Sequence, residues 1–376
     1  MKENKQIGGN DRLCGMDYLA FLWHRCGVDY RTGFELLHNL GVRSIRNWMH
    51  FSLFMKDEKT LDPENAALMH GILAEANRRD IMVIGMCHEN WSLTEKRFCV
   101  GKPSRQDPLY RQWLECYEQC WFLTVREFPE VTYWEIDNEM NNKDFMFLQG
   151  RFGEKLPKEE LAAMSADMLF YASRGIHRAN PRALTVLGGI VDPYGLGIPE
   201  TDTGTTMVNY LEALYDAIES GAHGSVRTDD FFQIACWHPY YYTKEPDAYF
   251  VQENNRIYEV IRRREGKDKR VFWTEFGWDE TLWDMEQIPA AIEKLFPLIR
   301  REMPYVESLC YYRFFDDVTE NHNTAGLFCD PVPQRDDVLP KTGEHRPCGM
   351  PKPSAFAFQR AAGGEGSLTI LRKDTL

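Results

Sequence analysis

Six short stretches of this chain end in residues that can bind, polarise or exchange protons. They are Arg46-Asn47-Trp48, His88-Glu89-Asn90-Trp91, Asp137-Asn138-Glu139, Trp237-His238-Pro239-Tyr240, Thr274-Glu275-Phe276-Gly277-Trp278 and Tyr312-Arg313-Phe314-Phe315-Asp316-Asp317. In each, the polar residues close an apolar run, so a strand would deliver them at its C-terminal end. Two carboxylates, Glu139 and Glu275, close the fourth and seventh runs of the chain. If the runs are staves of one barrel, these two face each other across its mouth. Such a pair fits cleavage of a glycosidic bond. One carboxyl protonates the leaving oxygen and the other attacks or screens the anomeric carbon. The rings around them offer flat apolar platforms for the C–H faces of sugars.

The elements that must position these residues are legible in the rest of the chain. Apolar runs occur at 19–24, 42–48, 81–87, 131–137, 184–190, 231–237, 271–275 and 308–314. Helical patterns lie between them. Asp62-Pro63-Glu64 sets an N-cap before a Pro at the first helical position, and the helix ends near Arg79. Residues 109–128 repeat apolar side chains at helical spacing, with Trp113 and Trp121 as core candidates. Residues 161–179 do the same until Asn180-Pro181 stops them. Further helices are expected at 208–220, 248–264, 289–303 and 354–361. Strands that alternate with helices and are apolar throughout indicate a parallel sheet covered on both faces. Eight such units predict an α/β fold, a (β/α)8 TIM barrel. The long irregular segments 88–108, 140–158, 190–207 and 315–352 all follow strands. In a barrel those loops collect at the face that carries the site. An open doubly wound sheet would carry a GxGxxG turn after a strand, and this sequence has none.

A length of 376 residues allows two or three domains at ~150 residues each, or one barrel with long loops. The eight-unit count favours one domain, with a core over about 18–361. The composition is 43% hydrophobic and 27% charged, enough for a sizeable core. No apolar run approaches the ~18–20 residues of a membrane span. A net charge of −13 disfavours nucleic acid and strongly anionic polysaccharides. A neutral carbohydrate is the better partner, and ten Trp with seventeen Tyr suit it. The ten cysteines form no CxxC pair and no secretory signal pattern is visible, so reduced thiols and a cytoplasmic location are expected, or a secreted protein if a signal was trimmed.

The run Tyr133-Trp134-Glu135-Ile136-Asp137-Asn138-Glu139 resembles the strand-four signature of clan A glycoside hydrolases. Phe272-Trp273-Thr274-Glu275-Phe276-Gly277-Trp278 looks like the strand-seven signature of the same clan. Arg46 matches its strand-two Arg, and His238 with Tyr240 its strand-six His-x-Tyr. Gly326-Leu327-Phe328, then Pro351-Lys352-Pro353-Ser354-Ala355-Phe356, is similar to its closing passage. The motifs fall in the right order, and together they look most like the cellulase-like and β-xylosidase-like families. The resemblance implies a retaining mechanism through a covalent glycosyl-enzyme, with Glu139 as acid/base and Glu275 as nucleophile. It implies that Arg46 lends positive charge beside Glu275 and that Tyr240 donates to it. Asn138 would bind the sugar 2-hydroxyl. His88 and His238 would bind hydroxyls or orient the carboxylates. Trp48, Trp278 and Tyr312 are the candidate platforms, with Tyr312 or Phe314 standing where the clan has a Trp. Besides that missing Trp, further features depart from the clan: Asp137 replaces an apolar or aromatic residue, and Arg313 and Asp316-Asp317 are unusual at the end of strand eight.

Some of these residues have simpler roles available. Glu135 alternates with Asp137 and Glu139, so it is expected to point inward and pair with an Arg. About half of Trp48, Trp91, Trp237, Trp278 and Trp283 are expected only to pack loops, and Tyr240-Tyr241-Tyr242 to be partly core. No HExxH or Cys/His spacing is present, so no metal and no cofactor are expected. The expected activity is exo-acting hydrolysis of β-glycosidic bonds in a neutral oligosaccharide or polysaccharide. The alternatives are an endo-acting β-glycanase, a carbohydrate-binding barrel without catalysis, or a metal-dependent sugar isomerase or lyase.

Overall fold

The computed structural model describes residues 12–192, 205–240, 246–319 and 323–369, apart from 282, 285, 334, 336, 340 and 341. Tyr241, Tyr242 and most of the segment 190–207 lie outside the described residues. The first barrel strand is β1 (Cys14–Asp17). Residues 19–24, expected to be that strand, instead fall largely in a helix, Ala20–Arg25. The reason is steric and polar. A Cβ on Gly15 would meet Ser44 Oγ at 2.5 Å and the Leu309 carbonyl at 2.7 Å. Asp17 is buried facing Arg46. Neighbouring staves choose these residues, and hydrophobicity does not. Asn47 then accepts from the Ala20 amide at 3.2 Å, which supports the start of the helix that follows.

The remaining staves fall where the apolar runs predict them. They are β2 (Ser44–Trp48), β3 (Met82–Cys87), β4 (Tyr133–Ile136), β5 (Leu184–Leu187), β6 (Ala235–His238), β7 (Val271–Phe276) and β8 (Val306–Tyr311). Their pairing is parallel and runs β5-β4-β3-β2-β1-β8-β7-β6. The ring closes between β5 and β6. Val186 bridges Ile234 there, and the short extension Ile190–Val191 pairs with Trp237 and His238. This is a TIM-barrel α/β fold. Register sets the polar strand ends at one level: Asp17 lies beside Arg46, and Ile136 beside both Cys87 and Leu187.

Helices cover the outside. Pro63–Arg78 begins as its sequence predicts, with Asp62 accepting from the amides of Glu64 and Asn65. A cap of this kind contributes ~1 kcal/mol. A helix at Tyr30–Leu40 adds to the expected set. Asp29 caps its start, and Gly41 ends it at φ +83°, a left-handed conformation that glycine adopts without strain. Tyr110–Glu127 and Lys158–Ala179 pack on each other, with Trp113 and Trp121 buried as core. All ten cysteines are free thiols. No described helix is long and apolar enough to cross a membrane.

Two loop features bear on the site. The segment after β3 contains a hairpin of Asn90–Ser92 and Arg97–Cys99. The segment after β8 is tied down by buried charges, which accounts for the unusual Asp316. Lys352 Nζ lies 2.8 Å from Asp316 and 3.1 Å from Glu280. Arg346 bridges the same two carboxylates, at 3.1 and 2.5 Å. The neighbouring Asp317 pairs with Arg335.

Candidate active site

Arg46 sits at the centre of the barrel mouth and is 1% exposed. Its guanidinium makes a two-pronged contact with Glu135, from Nε to Oε2 and from Nη2 to Oε1, each 2.9 Å. Nη1 donates to Glu275 Oε2 at 2.8 Å, and Nη2 to Asn138 Oδ1 at 2.5 Å. Asp17 stands 3.6 Å from Nη1. Glu135 therefore points inward and pairs with an Arg, as its alternation predicts. One rigid fork aligns β1, β2, β4 and β7 at the level where the strands end.

Glu275 has a second partner: the Tyr240 hydroxyl donates to Oε1 at 2.8 Å. Burial alone would raise the Glu275 carboxyl pKa. The His238 imidazole, the Arg46 guanidinium and the Tyr240 hydroxyl outweigh it and hold the group below the ordinary carboxylate range.

Glu139 is held differently. Asn142 Nδ2 donates to Oε2 at 2.7 Å, and His238 Nδ1 lies 3.1 Å from Oε1. The tautomer of His238 follows from its other neighbour. Thr274 Oγ1 donates to Glu135 Oε1 at 3.0 Å, since an ionised carboxylate only accepts. That hydroxyl has one proton, so it accepts from His238 Nε2 at 3.1 Å. Nε2 thus carries a hydrogen. Nδ1 then faces Glu139 Oε1 across a contact that a single shared proton would bridge. Gly189 permits this packing, because a Cβ there would collide with the His238 ring. Its amide also donates to Glu135. An oxygen of Glu139, a nitrogen of His238 and an oxygen of Glu275 all lie within 4.8 Å of one another.

The other candidates divide. Trp48 and His88 are half-buried on the β2–β3 side of the mouth, 6.0 Å apart by ring centroid. Between them lies His50, which the sequence reading missed. Its ring centroid is 4.2 Å from that of His88 and 4.8 Å from that of Trp48. Neither His50 nitrogen, nor Trp48 Nε1, nor His88 Nδ1 has a hydrogen-bond partner among the described residues. Burial, then the charge of Arg46, pushes the His50 imidazole pKa down to about 3. Burial, then His50, Lys102 and Arg46, pushes His88 well below its usual value. Both rings are therefore neutral, each with one donor and one acceptor.

Tyr312 stands edge-on to Tyr240, with its hydroxyl accepting from Asn323 at 2.9 Å. Phe314 is fully buried against Tyr18 and Phe328, away from any sugar face. Trp278 is 3% exposed and packs on Phe276 and Tyr311, so the structure gives it to the core. Trp237 is buried and donates to Asn254. Trp91 and Trp283 are also buried. Thr274 and Asn142 join His50 as residues the sequence did not single out. Thr274 adjoins Glu275 on its strand, and Asn142 lies three residues after Glu139; such proximity gives no chemical signal by itself.

Three clusters bring metal-ligand atoms within 4.8 Å among the described residues: Glu135–Cys236–His238, Glu139–His238–Glu275 and Asp316–Cys329–Asp337. Each includes a carboxylate already paired with a protein cation, Arg46 or Lys352. A metal ion would have to compete with those charges.

No family model and no curated protein matches the chain. Solved structures do. A family 39 glycoside hydrolase from the gut symbiont Bacteroides cellulosilyticus WH2 superposes at TM-score 0.65, with 18% identity over 95% of this chain and 65% of that one. GH5_18 from Streptomyces cattleya, solved in complex with Manb1-4GlcNAc, gives 0.62 and 12% identity over 93% and 79% of the two chains. A family 1 b-glucosidase from Thermotoga maritima gives 0.53 and 11% over 92% and 87%. The fold is thus similar to that of clan A glycoside hydrolases, and the chain spans just under two thirds of the family 39 protein.

Proposed function

We propose that this chain is a retaining glycoside hydrolase that cleaves β-glycosidic bonds in a neutral oligosaccharide, acting from the chain end. One observation carries the reading: two carboxyl groups approach within 4.8 Å but are given opposite roles by their partners. Retaining enzymes hold their carboxyls ~5–5.5 Å apart, and inverting enzymes leave ~6.5–9.5 Å for a water. Glu275, ionised between Arg46 and Tyr240, attacks the anomeric carbon, and the glycosidic C–O bond breaks. The leaving oxygen takes the proton held on the Glu139 side. In the second step Glu139 takes a proton from water, which attacks the same carbon and releases Glu275. Asn138, fixed by Arg46, faces the sugar 2-hydroxyl in this arrangement. The loops after β3 and β4 support a pocket: Lys102 N donates to Phe147 O, and Gln149 N to Lys102 O, each at 2.9 Å, joining them into one wall.

Replacing Glu139 by Ala is expected to slow hydrolysis of aryl β-glycosides with poor leaving groups about 10²–10⁴-fold. Azide should restore part of the turnover, because it attacks without a base. A panel of nitrophenyl glycosides, with the product anomer followed by NMR, identifies the sugar and tests retention. An inverted product would refute the mechanism.

The unpartnered ring atoms of Trp48, His50 and His88 have almost no open surface, and a glycon hydroxyl that shifts these rings to reach them meets both donors and acceptors. Unsatisfied buried polar groups cost ~1–3 kcal/mol each, so substrate contact there is favourable. His50→Ala is expected to lower kcat/KM about 5- to 100-fold, the kinetic equivalent of that range. The loss should shrink on a deoxy-glycoside that lacks the contacted hydroxyl. An equal loss on every deoxy-sugar would remove His50 from the binding surface.

A further inference from the structure

We propose that Lys102 and Asp137 are positioning residues for the Glu139 carboxyl, acting through a buried ion pair that fixes the turn on which Glu139 sits. The proposal rests on Glu139 being the acid/base.

The turn is strained. Asp137 has φ +70° and Glu139 φ +41°, a region that side chains other than glycine seldom occupy. Asp137 answers this locally: its Oδ1 accepts from the Asn138 amide at 2.8 Å. Its other oxygen lies 2.9 Å from Lys102 Nζ, and both side chains are fully buried. Lys102 also grips the far end of the same segment. Nζ donates to the Phe145 carbonyl at 2.9 Å, and the Lys102 backbone exchanges hydrogen bonds with Phe147 and Gln149. Asn138, Glu139 and Asn142 lie between these two anchors. One lysine from the β3 loop thus holds both ends of the strip that carries the acid/base.

Stability does not explain the pair. Two charges lose their hydration on burial, and well-packed apolar residues of similar volume serve as well or better. An apolar or aromatic side chain is also what the clan resemblance leads one to expect at Asp137. The pair adds directionality. A donor on either side of one carboxylate, the Asn138 amide and the Lys102 ammonium, selects one backbone path, where an apolar side chain would allow several. Net charge near Glu139 is left unchanged, so the effect is on placement.

The test exploits leaving groups. Loss of an aryl group such as 2,4-dinitrophenolate needs no proton, whereas loss of phenolate does. The variants are Lys102→Met and the charge-neutral double variant Lys102→Met/Asp137→Asn, which keeps an acceptor for the Asn138 amide. They are assayed on the glycon that the native chain hydrolyses fastest. The expected result is a fall in kcat/KM of about 10–100-fold on the phenyl glycoside, the scale of a small misplacement. On the dinitrophenyl glycoside kcat/KM should be unchanged while kcat drops, because the second step still needs Glu139, and azide should restore that kcat. Thermal unfolding monitors the folded fraction. Equal losses on both substrates, tracking that fraction, would make the pair a folding element and overturn the proposal, as would activity unchanged on both. If Glu139→Ala shows no leaving-group dependence, the acid/base assignment fails instead.

Discussion

Glu275→Gln is expected to abolish turnover, with kcat falling about 10⁶-fold, the scale on which loss of a covalent nucleophile acts. The substitution preserves shape and removes only charge and nucleophilicity. Its stability effect should have the same sign. The Glu275 pKa is depressed in the folded chain, so the charged form is held more favourably there than in the unfolded chain. The neutral variant should therefore unfold at a lower temperature at neutral pH, and the difference should shrink as pH falls through that pKa. The pH dependence follows from the depressed pKa of Glu275. In the proposed mechanism the group reacts as the carboxylate, so activity is expected above that pKa and should be lost as pH falls through it. The acid limb of kcat/KM should lie below the ordinary Glu value of ~4.3. Normal turnover in the Gln variant, measured on the best nitrophenyl glycoside, would sink the assignment.

Arg46→Met should be the most damaging change to structure and activity together. It leaves Glu135 buried with hydrogen bonds from Thr274 and Gly189 alone among the described residues, and it removes the guanidinium that faces Asp17. Breaking a buried pair in this way costs ~3–5 kcal/mol. Glu275 and Asn138 also lose the donors that fix them. The double variant Arg46→Met/Glu135→Leu separates the two effects. It should regain part of the stability, since the carboxylate left stranded is gone, and none of the activity. Denaturant unfolding and kcat/KM measured on both variants check this. A single variant as stable as the native protein would show that Arg46 does not carry the electrostatics of the mouth.

Seven of the eight staves are legible in the sequence because parallel strands covered on both faces must be apolar along their length. The first is not, for the same reason reversed: Gly15 is fixed by a close approach and Asp17 by a charge, and neither leaves a hydrophobic trace. The carboxylates and Arg46 are legible because chemistry restricts residue type at strand ends. What escapes is support supplied from elsewhere. Thr274 stands in the strand-seven motif but its hydrogen bond to His238 is set by a neighbouring stave, and Lys102 reaches Asp137 from a different loop with nothing in its immediate sequence to mark it. Trp278 shows the converse. It sits at the right strand end with the right side chain, yet packing against Tyr311 claims it for the interior. Aromatic identity predicts affinity for a sugar and for a core equally well, and only the fold decides between them.

The pairing of β1 with β8 has a consequence for synthesis. Cys14 lies beside Leu309 in the finished barrel, so β1 must wait for β8 to be made before that edge is paired. At about 5–20 residues per second, β1 spends on the order of tens of seconds with that edge uncovered. An open strand edge is a template for aggregation. A stave of four residues, with a glycine in the middle and an acid at the end, offers a poor template. The features that hid β1 from hydrophobic reading also guard the nascent chain.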